Sequence, residues 1–296
     1  MTNFPGSAVT FAYRPACVLR ASGPDAWTFL QGQFTNDLRN MSPGQAVYGL
    51  WLDHRGRVMA DSHVLRPGEG ADFWIVSVSS PAAIIARRLE DHIIADDVVI
   101  EDTTASWLGV SLIGQGVGAW CAQAPRPGLL FAGRRCAAEN REWIFLESAS
   151  AEVDAAIAGA RRASREEIER MRIGSAIPLV PRDIGPADLP NEGGLEEAAI
   201  SYSKGCYLGQ EVMARLKSRG RVRRALVRVA GAGAPPAVPA DLWRGGRREG
   251  ELRSVAADPA GRGYSGLALV PASAAAGGSF SLASGIPPSL DVVPSA

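Results

Sequence analysis

The chain has 296 residues, 46% of them hydrophobic, enough for two or three domains with no need of a disulfide or metal staple. Its 31 basic and 31 acidic residues give zero formal net charge, which argues against a general polyanion binder and makes any basic patch local and offset elsewhere. Cys17, Cys121, Cys136 and Cys206 form no C-x-x-C pair, so neither a zinc ribbon nor a dense disulfide framework is expected.

The N-terminal MTNFPGSAVTFAYRP lacks the basic region and apolar run of a secretory signal. No stretch approaches the roughly 20 apolar residues of a membrane span. The expectation is a cytoplasmic monomer with no resident metal; His54, His63 and His92 show no metal spacing.

Ser22-Gly23-Pro24-Asp25 reads as a helix start, with Trp27, Phe29, Leu30 and Phe34 as the apolar face. Val47 to Leu52 predicts a strand, Asp53-His54-Arg55-Gly56 a turn, and Val58 to Leu65 the return strand. Asp72 to Val78 is a further strand, followed by a helix carrying Ile84, Ile85 and Leu89 and a strand at 98–100. Trp107 to Ile113 and Trp143 to Leu146 are strands of a second set, with a helix over 152–160. Between those two strands, Gly114-Gln115-Gly116-Val117-Gly118-Ala119 formally fits a dinucleotide fingerprint, but Pro125, Pro127 and Gly128 argue against the helix it needs. A capping box, Ser164–Glu167, opens another helix. Gly231 to Ala240 reads as a linker, and the remainder as a small all-β domain. The class is α+β, divided into residues 1–229 and 230–296.

Of the basic residues only Lys204 and Lys217 are lysines, and both fall in one short segment. Ser203-Lys204-Gly205-Cys206-Tyr207-Leu208-Gly209-Gln210-Glu211 sets two glycines around a cysteine and an aromatic, with a carboxamide–carboxylate pair after them. A lysine two residues from a cysteine would favour the reactive thiolate. The plainer alternative is a turn with a buried cysteine. Further on, Arg215, Lys217, Arg219, Arg221 and Arg223 occupy alternate positions, which in a strand share one face. That face reads either as a cradle for the carboxylates of a ligand or for RNA phosphate, or as a solvated face balanced by Glu192, Glu196 and Glu197.

Lys204-Gly205-Cys206-Tyr207-x-Gly209-Gln210-Glu211 resembles the signature of the YgfZ family of folate-binding proteins. The resemblance extends to Arg172, Ile177-Pro178, Asp183-Ile184, Leu189-Pro190-Asn191-Glu192, and the opening Ser22 to Gly32 with Thr35-Asn36-Asp37. It also takes in Gly250-Glu251-Leu252 and Gly266-Leu267-Ala268, which are similar to the barrel of the related glycine-cleavage T-protein. It implies a ring of mixed antiparallel sheets and helices with a small C-terminal β-barrel, around a tetrahydrofolate. It further implies service to iron–sulfur proteins, a transient cluster included, and through them support of tRNA modification.

Carried onto this chain, the resemblance makes Cys206 the functional thiol, with Lys204 beside it. Arg172, Asp61, Glu192, Tyr207, Gln210 and Glu211, with Arg219 and Arg221 from the basic run, become the expected folate contacts. Two departures stand out. Where T-protein carries adjacent acids this chain has Ala60-Asp61, which argues against aminomethyl transfer; that transfer, or a demethylation using Asp61 and Asp53, is the alternative. Where many relatives place a pterin-contacting glutamate stands Gly174, leaving Glu192 as the nearest substitute acceptor.

Overall fold

The computed structural model describes residues 4–70, 72–123, 126–220 and 222–294; the side chain of Arg219 is not described. β1 (Val9–Tyr13) leads into β2 (Cys17–Ser22) and helix α1 (Ala26–Gln33). The hairpin β3 (Gln45–Leu52) and β4 (Val58–Arg66) follows, then β5 (Phe73–Ser77), α2 (Ala82–Glu90) and β6 (Val99–Asp102). Next come β7 (Trp107–Ile113), α3 (Val117–Cys121), β8 (Leu129–Ala132), β9 (Asn140–Leu146), α4 (Ser150–Ala156) and β10 (Arg161–Arg162). Helix α5 (Arg165–Gly174) opens a largely irregular stretch that holds α6 (Glu196–Ala199) and α7 (Gln210–Arg219). The end of the chain is all β: β11 (Arg224–Ala232), β12 (Ala240–Arg244), β13 (Arg247–Ala257), β14 (Gly263–Pro271), β15 (Ser279–Phe280) and β16 (Leu290–Val292).

Three sheets result, ordered β3-β4-β5-β2-β6, β10-β1-β7-β9-β8 and β12-β13-β14-β11-β16-β15. Alternation along the strands sorts the first sheet into two faces. Cys17, Leu19, Ala60, Val64 and Ile75 meet Phe29 and Leu30 of α1 and Ile85 and Leu89 of α2. Their neighbours Val18, Leu65 and Val76 turn the other way and meet Trp107, Leu129, Phe131 and Ile144 of the second sheet. The second sheet repeats the plan, with Val110, Leu112, Trp143 and Phe145 against Trp120 of α3 and Val153 of α4. Two sheets therefore face each other with helices on the outside. The third sheet is a six-stranded barrel, nearly closed by a bridge between Trp243 and Ser281 around Leu242, Leu252, Tyr264 and Phe280.

Local chemistry explains the turns and caps. Asp53 Oδ1 accepts from the N–H groups of Arg55 and Arg57, each at 2.8 Å, and Gly56 takes φ +73°, which closes the β3–β4 hairpin. The Ser164 hydroxyl accepts from Glu167 N–H at 3.2 Å and starts α5. Helix α1 begins later than Ser22 suggests: Ser22 ends β2 and Asp25 is the cap residue. A five-residue helix, α3, does follow Gly116.

Two further expectations are corrected. The barrel sheet begins at Arg224, so a boundary at 229/230 falls inside strand β11. The basic run is not a strand, since residues 210–219 form helix α7. Val212, Met213 and Leu216 turn its apolar stripe onto Leu50, Leu52 and Val58, and helical spacing outweighs the period-two pattern of charges. The alternate cations therefore do not share a strand face. Arg215 is exposed, and Lys217 Nζ lies 3.9 Å from the centre of the Tyr202 ring. Arg221 lies outside the described residues, as does the side chain of Arg219.

Candidate functional site

The residues expected to form one site separate into three places. The first is a pocket where the first sheet, the second sheet and the segment around the end of α5 meet, with a cavity volume of about 40 Å³. Its wall combines Tyr48, Asp61 and His63 from β3 and β4, Ser77 at the end of β5, Arg134 from the β8–β9 connection and Glu142 of β9, and Arg172 of α5 with Ile177, Pro178 and Leu179 after it. Asp61 reaches it because β4 turns odd-numbered residues inward at this point. One carboxylate oxygen accepts from Ser77 (3.1 Å) and Ser80 (2.7 Å), the other from the Tyr48 hydroxyl (3.0 Å). Burial raises the Asp61 pKa above the ordinary carboxylate range, while the three hydroxyls and the nearby Arg134 guanidinium act the other way. Burial, reinforced by Arg134, pushes His63 down to about 3 and keeps it neutral. The Arg134 guanidinium lies 4.3 Å from the centre of the Tyr48 ring.

The second place is the cysteine motif. Cys206 is the exposed one among the four cysteines. The loop that presents it is held from both sides. Lys204 is buried, and Nζ donates to the carbonyls of Gln31 (2.6 Å), Phe34 and Asn36 (3.0 Å). An ammonium has three hydrogens and all are engaged. Lys204 therefore anchors the loop instead of pairing with the thiol, and burial lowers its pKa to about 8. Tyr207 sits in the core with Leu50, Leu52 and Met213. Gly209 takes φ +87° and lies against the β3–β4 turn, where an added Cβ would stand 2.8 Å from the Asp53 carbonyl. Gln210 and Glu211 form the first turn of α7. None of Lys204, Cys206, Tyr207, Gln210 or Glu211 is on the wall of the Asp61 pocket. A roomier cleft of about 670 Å³ borders Leu208, Asp53, His54 and Arg88. The Asp61 pocket is the better candidate because its polar groups converge from three units and its titratable groups are strongly perturbed.

The third place is the joint with the barrel. Arg172 is buried and donates to Asp183 (2.6 Å), the Ile177 carbonyl (2.6 Å), Glu169 (2.8 Å) and the Ser254 hydroxyl of β13 (2.9 Å). Asp188 receives Arg253 and Arg224, and Arg224 also grips Glu192 at 2.7 Å. Glu192 accepts the Leu189 N–H as well, so the substitute acceptor expected for Gly174 is engaged here, away from the Asp61 pocket. Gly174 itself faces open space, with no atom within 4 Å of where a Cβ would stand.

Tyr48, His63, Ser77, Ser80 and Arg134 did not emerge from sequence. The one available signal was His63 two residues after Asp61, polar positions alternating within an otherwise apolar strand. Ala60 also reads differently in three dimensions. It is buried beneath α1 and α2, so an acid at 60 would point away from this pocket. Among the described residues no group of three or more His, Cys, Asp or Glu could hold a metal ion, and no helix is long and apolar enough to cross a membrane.

The GCVT N-terminal domain family matches residues 16–117. The tRNA-modifying protein YgfZ of Edwardsiella ictaluri is 31% identical over 222 residues, 70% of this chain and 66% of that protein. The human iron–sulfur cluster assembly factor IBA57, mitochondrial, is 28% identical over 276 residues, 86% of this chain and 74% of that protein. The crystal structure of the glycine cleavage system aminomethyltransferase T from Bartonella henselae superposes with a TM-score of 0.80 at 19% identity, covering 97% of this chain and 85% of that one, which is a likeness of fold. The chain spans about two thirds of the length of the YgfZ protein it matches. With its fold, its Asp61 pocket and its cysteine motif, the chain is a YgfZ-type relative of the glycine-cleavage T protein.

Proposed function

We propose that the protein binds a reduced folate at the Asp61 pocket and presents Cys206 in the service of iron–sulfur proteins, supporting tRNA modification through them. The observation that carries the reading is the contrast within one chain between a buried carboxylate pocket and a single exposed thiol on an anchored loop. The names of the relatives, a tRNA-modifying protein and an iron–sulfur cluster assembly factor, support the second half. A cluster would be cargo, with Cys206 giving one ligand and the others coming from a partner.

The pocket residues suit a pterin in kind: a carboxylate acceptor, hydroxyls and the Tyr48 ring. In size the pocket as it stands is small: about 40 Å³ holds a water or two, whereas a drug-sized ligand needs about 300 Å³ or more, so a pterin has to displace side chains of the wall. Asp61 would hold the pterin edge, Tyr48 its face, and His63 would stay neutral beside them. The folate, when bound, supplies a carrier for one-carbon units.

Calorimetric titration with tetrahydrofolate tests the pocket. Asp61→Ala should weaken binding about tenfold or more, the scale of a lost charged hydrogen bond. Unchanged affinity would move the ligand elsewhere. Cys206→Ala, assayed for rescue of cluster-dependent enzymes in a strain lacking the native gene, tests the thiol; full rescue would remove it from the mechanism. The inward Asp61 and the outward Ala60 favour keeping a second reading, one-carbon transfer from an amine donor. Formation of methylene-tetrahydrofolate by the purified protein would put that reading first.

A further inference from the structure

The cleft of about 670 Å³ lies between the β3–β4 turn, helix α2 and Leu208 of the cysteine motif, and shares no wall residue with the Asp61 pocket. Met59, Ala83, Ile84 and Leu208 give it an apolar side. Arg88 stands on the same wall, and its pairing is unlike that of the other buried arginine. Arg172 is matched by Asp183 and Glu169, whereas Arg88 has no ion pair among the described residues. Its Nε donates to the Leu52 carbonyl (3.0 Å) and Nη1 to the Gln33 side chain (2.7 Å), while Nη2 is buried with no hydrogen-bond partner. Burial lowers the Arg88 pKa to about 10, and Asp91 and Asp53 act the other way. Both acids are engaged elsewhere: Asp53 Oδ1 closes its own turn, and Asp91 lies 3.9 Å from the exposed Arg87. A buried guanidinium without a carboxylate is costly, and an anion supplied from the cleft would offset that cost.

We infer that this cleft binds a small carboxylate with an apolar body, its head on Arg88 and its chain along Met59, Ala83, Ile84 and Leu208. The site is separate from the Asp61 pocket and stands whether or not that pocket holds a folate. Nη2 is screened from water, so the head reaches it as wall side chains shift, the exposed and loosely held Arg87 among them. A volume of this size exceeds the roughly 300 Å³ at which ligand clefts begin, so the chain has room. Leu208 is two residues from Cys206, so an occupant sits beside the exposed thiol and covers one approach to it.

Calorimetry of the full chain with butyrate, hexanoate and hexylamine tests the inference. Hexanoate should bind about tenfold more tightly than butyrate, because each buried methylene is worth about fourfold. Hexylamine, with the same body and the opposite charge, should bind at least about tenfold more weakly than hexanoate. Bound hexanoate should slow alkylation of Cys206 by iodoacetamide about twofold or more, through lost access to the thiolate. Arg88→Met should weaken hexanoate about tenfold, the scale of a lost charged hydrogen bond. Ala83→Glu sets a fixed carboxylate on the wall at an exposed helical position, should weaken hexanoate as much, and decides the matter if Arg88→Met does not fold. Absence of hexanoate binding to the parent, equal binding of hexanoate and hexylamine, unchanged hexanoate affinity in Ala83→Glu, or an unchanged alkylation rate with hexanoate bound would each overturn the inference. None of these outcomes touches the folate reading of the Asp61 pocket.

Discussion

Two arginine-rich regions of this protein differ in how their charges are matched. At the barrel joint, Arg172, Arg224 and Arg253 each have a carboxylate within hydrogen-bond distance, and the acids Asp183 and Asp188 are fully buried. At a cavity of about 270 Å³ beside Phe11 and Tyr13, lined by Arg14, Arg135, Arg165 and Arg182, the matching is looser: Arg135 pairs with Glu142 and Arg182 with Glu169, but Arg14 meets Glu147 only at 3.6 Å in solvent, and Arg165 has no ion pair among the described residues. The residue type is the same. A buried, fully matched set holds the fold together, whereas an exposed, loosely matched one adds little to stability, so burial and pairing together decide what an arginine contributes.

The largest test of that contrast is Arg172→Ala. It leaves Asp183 buried without its cation and should lower stability by about 3–5 kcal/mol in urea melts. A variant as stable as the parent would show that the joint does not depend on its charges. Lys204→Met extends the test to the other fully engaged cation. Three carbonyls lose their donor, and a loss of about 2–4 kcal/mol is expected, with new proteolytic cutting in 201–209. Normal stability with no new cleavage would mean that Lys204 does not anchor the loop.

A smaller effect concerns pH. His63 stays neutral in the fold down to about pH 3, while in the unfolded chain it protonates below about 6.5. The unfolded state therefore binds more protons in that window, and stability falls by up to about 1.4 kcal/mol per pH unit as the solution is acidified. Asp61 has the opposite sign, because its raised pKa lets the folded chain take up its proton first. His63→Phe should flatten the acid limb of the stability profile; an unchanged slope would show that His63 contributes none of it. The smallest effect is expected at the loosely matched cavity beside Phe11 and Tyr13. Arg14→Ala combined with Arg165→Ala should change stability by no more than about 0.5 kcal/mol, and a larger loss would reassign those arginines to the scaffold.

The β3–β4 hairpin was legible because Asp53 and Gly56 dictate its turn and the flanking apolar runs have strand length. The start of α5 was legible for the same kind of reason, a cap whose partner lies three residues away. Helix α7 was misread because its cations fall on alternate positions, a period set by charge. The packing signal, Val212 and Met213 with Leu216, has helical spacing and was the one to follow. The cysteine motif could be found in sequence, but the role of Lys204 could not. Its partners lie about 170 residues earlier, in the last turn of α1 and the segment just after it. The Asp61 pocket had the same difficulty, since Tyr48, Ser80 and Arg134 converge only once the first two sheets have packed together.

That convergence has a thermodynamic consequence. A molecule held at the Asp61 pocket would touch the first sheet, the second sheet and the 172–179 segment that is bonded to the barrel, all at once. Unfolding any one of the three would then release it, so its binding energy would be shared by the whole chain. At a ligand concentration a hundredfold above Kd, that linkage amounts to about 2.7 kcal/mol. The three units should melt as one with ligand present, and separate more readily without it.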